Sequence, residues 1–309
     1  MSEITIGGQA VLEGVMMRSK DSLAIAVRRP SGEIVVERRP WFVLGRWKFL
    51  RIPFVRGFPV LLETLVNGIK ALNFSAQQAL EEEEEEISST ALVLTLAVSI
   101  LLALTIFVGL PHFLSVGMQS LGLGGGIEDL SFHLWDGLFR VVMFLGYIVS
   151  ISFLPDIRRV FQYHGAEHKV IHAYEAMALL SPAEAKQYSR LHPRCGTAFL
   201  LFVLSISIIL FTFLVPVLVG VYSPSHFILK HGYILLIKFI LMVPISGISY
   251  ELIKVSGKIR MPLLHAFLCS PGLLLQMLTT KEPDEQQLEV AIQALKGAVG
   301  AEDTDVCKA

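Results

Sequence analysis

The sequence predicts a mainly α-helical, polytopic membrane protein with about four transmembrane helices, a re-entrant or interfacial segment, and a small β-rich amino-terminal unit. Of the 309 residues, 53% are hydrophobic and only 17% are charged, whereas soluble domains are about a quarter charged. The mean hydropathy is +0.60, and the apolar residues are concentrated between residues 88 and 279. Residues 1–40, in contrast, alternate in short β-type runs.

Charge and cysteine content exclude two classes of protein. The net charge of −1 argues against a nucleic-acid binder, and we expect no direct nucleic-acid binding. Cys195, Cys269 and Cys307 show no paired spacing, so they predict local thiol chemistry or metal ligation instead of a disulfide framework.

Residues 1–56 are predicted to form a cytoplasmic β-rich unit. Two runs, 23–27 and 33–36, flank the turn residues 30–32 and predict a hairpin. So few strands cannot bury a core alone. We therefore expect this unit to pack over the 155–196 loop and to bring Glu13 close to His168 or His172.

Residues 57–86 are predicted to be an amphipathic helix followed by an acidic linker. The preceding basic and tryptophan residues, including Trp41, Trp47 and Arg56, suit a lipid headgroup layer. Six glutamates at 81–86 are interpreted as a solvated, like-charged helical linker, with a cation-binding acidic patch as the alternative. The helical apolar stripe of 57–80 consists of Leu61, Leu62, Leu65, Val66, Ile69 and Leu72.

The membrane domain is predicted to cover residues 87–279. A bilayer core of ~30 Å requires about 20 apolar residues in a helix. Segment 261–278 is interrupted by Pro262, His265 and the 270–272 triplet, so we interpret it as a re-entrant or interfacial helix pair, with a fifth span as the alternative. The spans long enough to cross the bilayer core are 89–110, 138–154, 197–220 and 234–250.

The tail, residues 280–309, is predicted to form a helix that carries an apolar stripe.

The distribution of Lys and Arg predicts the orientation. Basic residues are frequent in 1–80 and 155–196 and absent from 111–137. Because basic loops stay in the cytoplasm, both termini and the 155–196 loop are expected to be cytoplasmic. Arg140 and Lys238, inside the spans, are expected to snorkel to the interface. Since both are basic, paired intramembrane charges and hence a transporter are disfavoured.

Residues 163–175 carry the strongest chemical pattern. His164, Glu167, His168, His172 and Glu175 fall within about 140° of one helix face. The spacing His164-x-x-Glu167-His168 is the inverted zinc-peptidase pattern. It predicts a divalent metal, zinc in particular, held by His164 and His168, with Glu167 as the catalytic general base. His172 lies about 12 Å along the axis from His164, so it is expected to bind a second ion or to support the first.

A catalytic zinc needs a third protein ligand. The candidates are His192 and Cys195, at the end of the same loop, Glu251 at the end of the fourth span, and Glu13 of the amino-terminal unit. Alternatives remain for each feature. The helix could be a solvated amphipathic helix, His192 could cap backbone carbonyls, and Cys195 could be a buried apolar residue.

Four motifs together resemble the YqhQ family. They lie at 7–18 (GGQAVLEGVMMR), 163–169 (YHGAEHK), 192–197 (HPRCGT) and in the 281–295 tail. The family comprises bacterial multi-pass membrane proteins described as predicted metal-dependent enzymes of unknown function. The resemblance implies location in the inner membrane, with the lipid bilayer as partner. It supplies no established substrate or catalytic residue.

Two functions follow from the sequence. The first is a metal-dependent hydrolase with a cytoplasm-facing site at the membrane surface. The second is a non-enzymatic membrane factor in which a structural metal fixes the 155–196 loop to the amino-terminal unit. That unit would then dock the membrane-protein biogenesis machinery, either the insertion apparatus or the ribosome. A closed ligand shell favours the second function and an open shell beside Glu167 favours the first.

Overall fold

The computed structural model describes residues 6–19, 22–44, 50, 52–80, 89–193, 195–256 and 262–300. They form a four-stranded sheet between helices and, beside it, a bundle of long apolar helices, which confirms the mainly helical fold class with a small amino-terminal sheet. The helices are α1 (Gly57–Ala79), α2 (Ser89–Leu104), α3 (Leu110–Ser120), α4 (Leu130–Ile151), α5 (Pro155–Glu175), α6 (Pro182–Ala185), α7 (Gly196–Val221), α8 (Phe227–Ser256), α9 (Pro262–Thr279) and α10 (Glu285–Val299).

The amino-terminal unit is an antiparallel meander in which neighbours in sequence are neighbours in the sheet. The predicted hairpin is the β3–β4 pair. Its turn contains Gly32 with φ 89°, a backbone conformation that glycine adopts without steric cost. Glu13, with φ 49°, turns the chain between β1 and β2. The strands are β1 (Gly7–Val11), β2 (Gly14–Arg18), β3 (Ser22–Arg28) and β4 (Ile34–Pro40).

Successive side chains of a strand point to opposite faces of the sheet, and each face is covered by other elements. Val15 and Met17 pack with residues of α5 and α10, whereas Met16 and Ile25 pack with Trp41 and with α1. The expectation that the sheet packs over the histidine-bearing helix is confirmed. The apolar stripe predicted for the tail lies on α10, in the core that contains Val15 and Met17. Its residues Leu288, Ala291, Ile292 and Leu295 are buried, and Val299 packs against that core.

Helix α1 turns its polar side toward the sheet. The buried carboxylate of Glu63 accepts a hydrogen bond from the Leu44 amide at 2.8 Å. Buried Asn67 bonds both the amide and the carbonyl of Phe42, each at 3.2 Å. Leu65 and Leu72, members of the predicted apolar stripe, are 50% and 40% exposed. These two leucines therefore face away from the sheet, whereas Ala71 and Phe74 of the same helix pack against it. Trp47 and the 81–86 glutamates lie outside the described residues.

Four helical segments are long and apolar enough to cross a membrane, as predicted: 93–120, 130–151, 201–221 and 227–255, counting described residues only. The first joins α2 to α3 through a π-helical turn, Thr105–Gly109. Helices α4 and α8 begin earlier than the predicted spans. Helix α9 is one continuous helix that contains Pro271 and lies outside these four segments, where the sequence predicted a broken pair.

The expectation that Arg140 and Lys238 snorkel is wrong. Both side chains are buried, at 4% and 1% exposure. Each pairs with Asp136, Arg140 at 2.9 Å and Lys238 at 3.0 Å. Because α4 begins at Leu130, Asp136 lies inside the helix instead of in the preceding loop, and it supplies the acidic partner that the sequence analysis had not placed in the membrane.

Candidate metal centre

Helix α5 is buried on nearly all sides along its second half. Tyr163, Ala166, Val170 and Ala173 pack into the core shared with the sheet and α10. The histidine face meets the loop before α7 and the end of α9. Gly165 permits this contact, since a Cβ atom there would lie 2.1 Å from the carbonyl oxygen of Lys281.

Each histidine of α5 is oriented by a backbone carbonyl. His164 Nδ1 donates to the Thr279 carbonyl at 2.9 Å. His168 Nδ1 donates to the Arg190 carbonyl at 2.6 Å, and His172 Nε2 donates to the Leu191 carbonyl at 3.0 Å. Bonds of this kind fix the tautomer and aim of histidines that bind metals. The opposite ring nitrogen of each histidine then keeps a lone pair that can bind a metal.

The side chains form two adjacent clusters. In the first, called the His164 cluster, ligand atoms of His164, His168 and Cys195 all lie within 4.8 Å of one another. His164 Nε2 is 3.2 Å from Cys195 Sγ. In the second, called the His192 cluster, the same limit joins His172, Glu175 and His192. The ring centroids of His168 and His192 are 5.7 Å apart, so the two clusters are neighbours.

His168 carries the clearest sign of a missing ligand. Its side chain is 1% exposed, and Nε2 is buried with no hydrogen-bond partner among the described residues. Burial lowers the pKa of His168 to about 2, and the neighbouring His164 lowers it further. The imidazole is therefore neutral, as a metal ligand must be. Two imidazoles and one thiol are donors that zinc prefers.

Gln276 of α9 holds the His192 cluster in place. Its Oε1 accepts a hydrogen bond from the His192 amide at 2.8 Å, and its Nε2 donates to the His192 carbonyl at 2.9 Å. Gln276 is fully buried. The sequence analysis missed this residue, although a glutamine inside the apolar run 273–278 was the available signal. Glu175, placed on the histidine face but not proposed as a ligand, lies with its Oε2 3.5 Å from His192 Nε2.

Glu167 lies beside the His164 cluster and is 4% exposed. Burial raises the pKa of its carboxyl to about 8; His164 opposes this shift and Cys195 adds to it. Its Oε2 is buried and has no hydrogen-bond partner in the described part of the chain. Oε1 approaches Gly8, where a Cβ atom would lie only 2.8 Å away. The glycine of β1 thus leaves room for this carboxylate.

Two proposed ligands lie elsewhere. Glu13 pairs with Arg159, whose guanidinium approaches both carboxylate oxygens, and accepts a bond from the Tyr163 hydroxyl at 3.3 Å. Glu251 forms a two-pronged pair with Arg56 at 2.5 and 2.6 Å. Among the described residues, neither Glu13 nor Glu251 belongs to the His164 cluster or to the His192 cluster. The expectation that Glu13 approaches the histidines is not met, because Arg159 holds its carboxylate.

A cavity of about 820 Å³ opens beside the clusters, within the range of about 300–1,000 Å³ typical of ligand sites. Glu167, His168, His192 and Cys195 line one wall. The other walls are mainly apolar and come from β1, β2, α1 and the ends of α7 and α8 that adjoin the sheet, including Met16, Trp41, Leu61, Phe199 and Ile253.

Comparison with known proteins agrees with the resemblance seen in the sequence. Residues 52–301 match the family described as "Protein of unknown function (DUF1385)". The chain is 36% identical over 304 residues to the "Uncharacterized protein YqhQ" of Bacillus subtilis (strain 168), covering 93% of this chain and 90% of that protein. The chain belongs to the YqhQ family. No solved structure matches it significantly. The family match begins at residue 52 and therefore leaves out the β1–β2 motif that contains Gly8.

Proposed function

We propose that the protein is a metal-dependent hydrolase acting at the membrane surface. The observation that carries this proposal is the buried, unpartnered Nε2 of His168 beside His164 and Cys195. Three protein ligands that leave one position toward a cavity are typical of catalytic zinc sites, whereas structural sites have four. A bound divalent ion would polarise a substrate carbonyl or phosphoryl group and acidify water.

Glu167 is the general base in this proposal. Its carboxylate lines the same cavity as His168 and Cys195, and its Oε2 is available to accept a proton from water. The buried surroundings suit this role, because a base works best when its pKa is near the working pH. Gly8 and the β1 backbone limit where the carboxylate can move.

The cavity favours an amphiphilic substrate. Away from the clusters its walls are mainly apolar, with Gln9, Arg18, Ser19 and Thr64 as further polar lining residues. It lies where α7 begins and α8 ends, next to the sheet. A molecule with an apolar chain could place that chain among Met16, Leu61 and Phe199 while its labile bond approaches the His164 cluster. We further propose that this side is cytoplasmic, on the grounds of the Lys and Arg distribution.

The test uses purified full-length protein in mixed micelles, with a panel of amphiphilic esters, amides and phosphodiesters. Glu167→Gln should retain its metal content while turnover falls ~10²–10⁴-fold. His168→Ala should lose the metal itself. Glu184→Gln, at a half-buried glutamate of α6 that belongs to neither cluster, is the matched control and should change neither quantity.

The outcomes separate the two functions. Metal present in the wild type with full turnover in Glu167→Gln would contradict the general-base role. Metal present with no turnover in any variant, together with loss of folding in His168→Ala, would instead support a structural metal in a docking factor for the insertion machinery or the ribosome. Wild-type protein without stoichiometric metal would contradict the metal proposal.

A second candidate function is favoured by the 3.2 Å distance between Cys195 Sγ and His164 Nε2. A thiol within hydrogen-bond reach of an imidazole whose other nitrogen is fixed by a carbonyl is the arrangement of a cysteine nucleophile. In that case Cys195 would form a covalent intermediate with the substrate. Stoichiometric alkylation of Cys195 in metal-free but active protein, with loss of turnover, would favour this candidate over the metal hydrolase.

A further inference from the structure

A chain of protonatable groups lies buried among α3, α4 and α8, apart from the metal centre. His231 Nδ1 is 2.8 Å from His112 Nε2, and His112 Nδ1 is 3.3 Å from Lys238 Nζ. Lys238 in turn donates to Asp136 at 3.0 Å, and Asp136 accepts from Arg140 at 2.9 Å. All five side chains are at most 5% exposed. The chain of hydrogen bonds is continuous.

The chain of groups leads inward from the helix ends that lie opposite the sheet. His231 is about one turn from the start of α8 at Phe227, and Lys238 is about 16 Å along the axis from that start. Tyr250, which lines the cavity beside the sheet, is about 18 Å farther along. Lys238 is therefore near the middle of a helix long enough to cross a bilayer.

The charge count singles out Lys238. Arg140 is always protonated, and with ionised Asp136 it forms a neutral pair. Protonated Lys238 adds one positive charge, and among the described residues Asp136 is the acid found paired with it. The neighbouring polar groups do not supply a second acid: His133 bonds the Ile127 carbonyl at 2.9 Å, and the sequence of α7 contains no acidic residue. An uncompensated charge is costly in the membrane interior, so Lys238 can release its proton.

We propose that Lys238 is a proton-binding site inside the membrane domain, loaded through His231 and His112 from the side opposite the sheet. This inference does not depend on the proposed hydrolase. Ionisable groups that pair inside membrane helices commonly form such relays. Two charged side chains on that side, half-buried Lys230 and exposed Glu128, pair with each other at 3.3 Å, whereas the two histidines are hydrogen-bonded to Lys238 in series.

The proton transfer balances atom by atom. In the unloaded state, His231 Nδ1–H donates to His112 Nε2, and His112 Nδ1–H donates to the neutral amine of Lys238. A proton from the aqueous phase on the side opposite the sheet binds His231 Nε2. The Nδ1 proton of His231 then moves to His112 Nε2, and the Nδ1 proton of His112 moves to Lys238 Nζ. Both histidines end neutral, with the chain of hydrogen bonds reversed, and the Lys238 ammonium donates to His112 and Asp136.

The test follows the Nζ nitrogen of Lys238 by solid-state NMR of ¹⁵N-lysine-labelled, full-length protein in sealed liposomes with the sheet outside. The Lys238 signal is assigned by its loss in Lys238→Met. We expect it to change between amine and ammonium as the inner pH is varied, and to be unaffected by the outer pH. The remaining lysine signals, which Lys238→Met leaves in place, are the internal control for the labelling and the spectra.

Two further variants test the route. His112→Gln and His231→Gln keep hydrogen-bonding groups but do not accept a relayed proton, and each should slow the response to a jump in inner pH at least tenfold. A Lys238 signal that remains ammonium between pH 5 and 9 would overturn the proposal and indicate a static ion pair. A signal that follows the outer pH, or an undiminished response rate in both glutamine variants, would also overturn it.

Discussion

Gly165→Ala should disrupt the candidate metal centre without replacing any of the proposed ligands. The new Cβ atom would lie 2.1 Å from the Lys281 carbonyl oxygen, whereas ordinary contacts begin near 3.4 Å. The segment after α9 must therefore retreat by about 1.3 Å. That movement would stretch the 2.9 Å bond between His164 and Thr279 beyond hydrogen-bond range, and it would break the bond from the Lys281 amide to the Phe161 carbonyl.

The magnitude follows from these contacts. Overpacking costs about 1–3 kcal/mol, and one lost backbone hydrogen bond adds about 1 kcal/mol. We expect a loss of about 2–4 kcal/mol in the free energy of unfolding. Loss of the carbonyl that orients His164 should also weaken metal binding by about 10–100-fold.

The assays are thermal unfolding in detergent micelles and competition with a metal chelator. The control is Gly117→Ala in α3, where a Cβ atom would meet nothing within 4 Å. Alanine is the better helix former, so this control should be neutral or stabilising by up to about 1 kcal/mol. An unchanged unfolding midpoint and unchanged metal affinity in Gly165→Ala would refute the reasoning.

Two further predictions concern the supports of the site. Gln276→Leu removes the side-chain acceptor of the His192 amide and one of the two donors to the His192 carbonyl, which also accepts from the Cys195 amide at 3.3 Å. We expect a loss of about 1–3 kcal/mol in the free energy of unfolding, measured by denaturant titration; an unchanged free energy of unfolding would contradict this role. Gly247→Ala would place a Cβ atom 1.8 Å from the Phe54 carbonyl oxygen and should detach the 52–56 segment from α8. Limited proteolysis within that segment should accelerate, and an unaltered cleavage rate would contradict the prediction.

The elements that could be predicted are those with a strong local period. The stripe of α10 and the histidine face of α5 repeat at helical spacing, and both are found as expected. The β3–β4 hairpin is predicted by the turn residues 30–32, which include Gly32. In each case the information lies within fewer than about 20 consecutive residues, and neighbours along the chain decide the structure.

The parts that could not be predicted depend on contacts between distant segments. Glu13 and Arg159 are 146 positions apart in the sequence. Glu251 and Arg56 are 195 positions apart. A carboxylate with a nearby arginine is satisfied and does not need a metal, but the sequence does not reveal which arginine comes near. Asp136 was placed in a loop because hydropathy falls at the polar end of α4, although the backbone remains helical there.

The orientation of α1, with polar side chains facing inward and two leucines exposed, has a practical consequence for preparing the protein. Its inward side is held by Glu63 and Asn67 through the backbone of residues 42–44, and two leucines of its outward side are exposed. Leu65 and Leu72 would remain exposed in a fragment ending at residue 80. Such a fragment should need detergent even though none of the four candidate membrane spans found among the described residues lies in it, and it should partition into vesicles when the detergent is diluted.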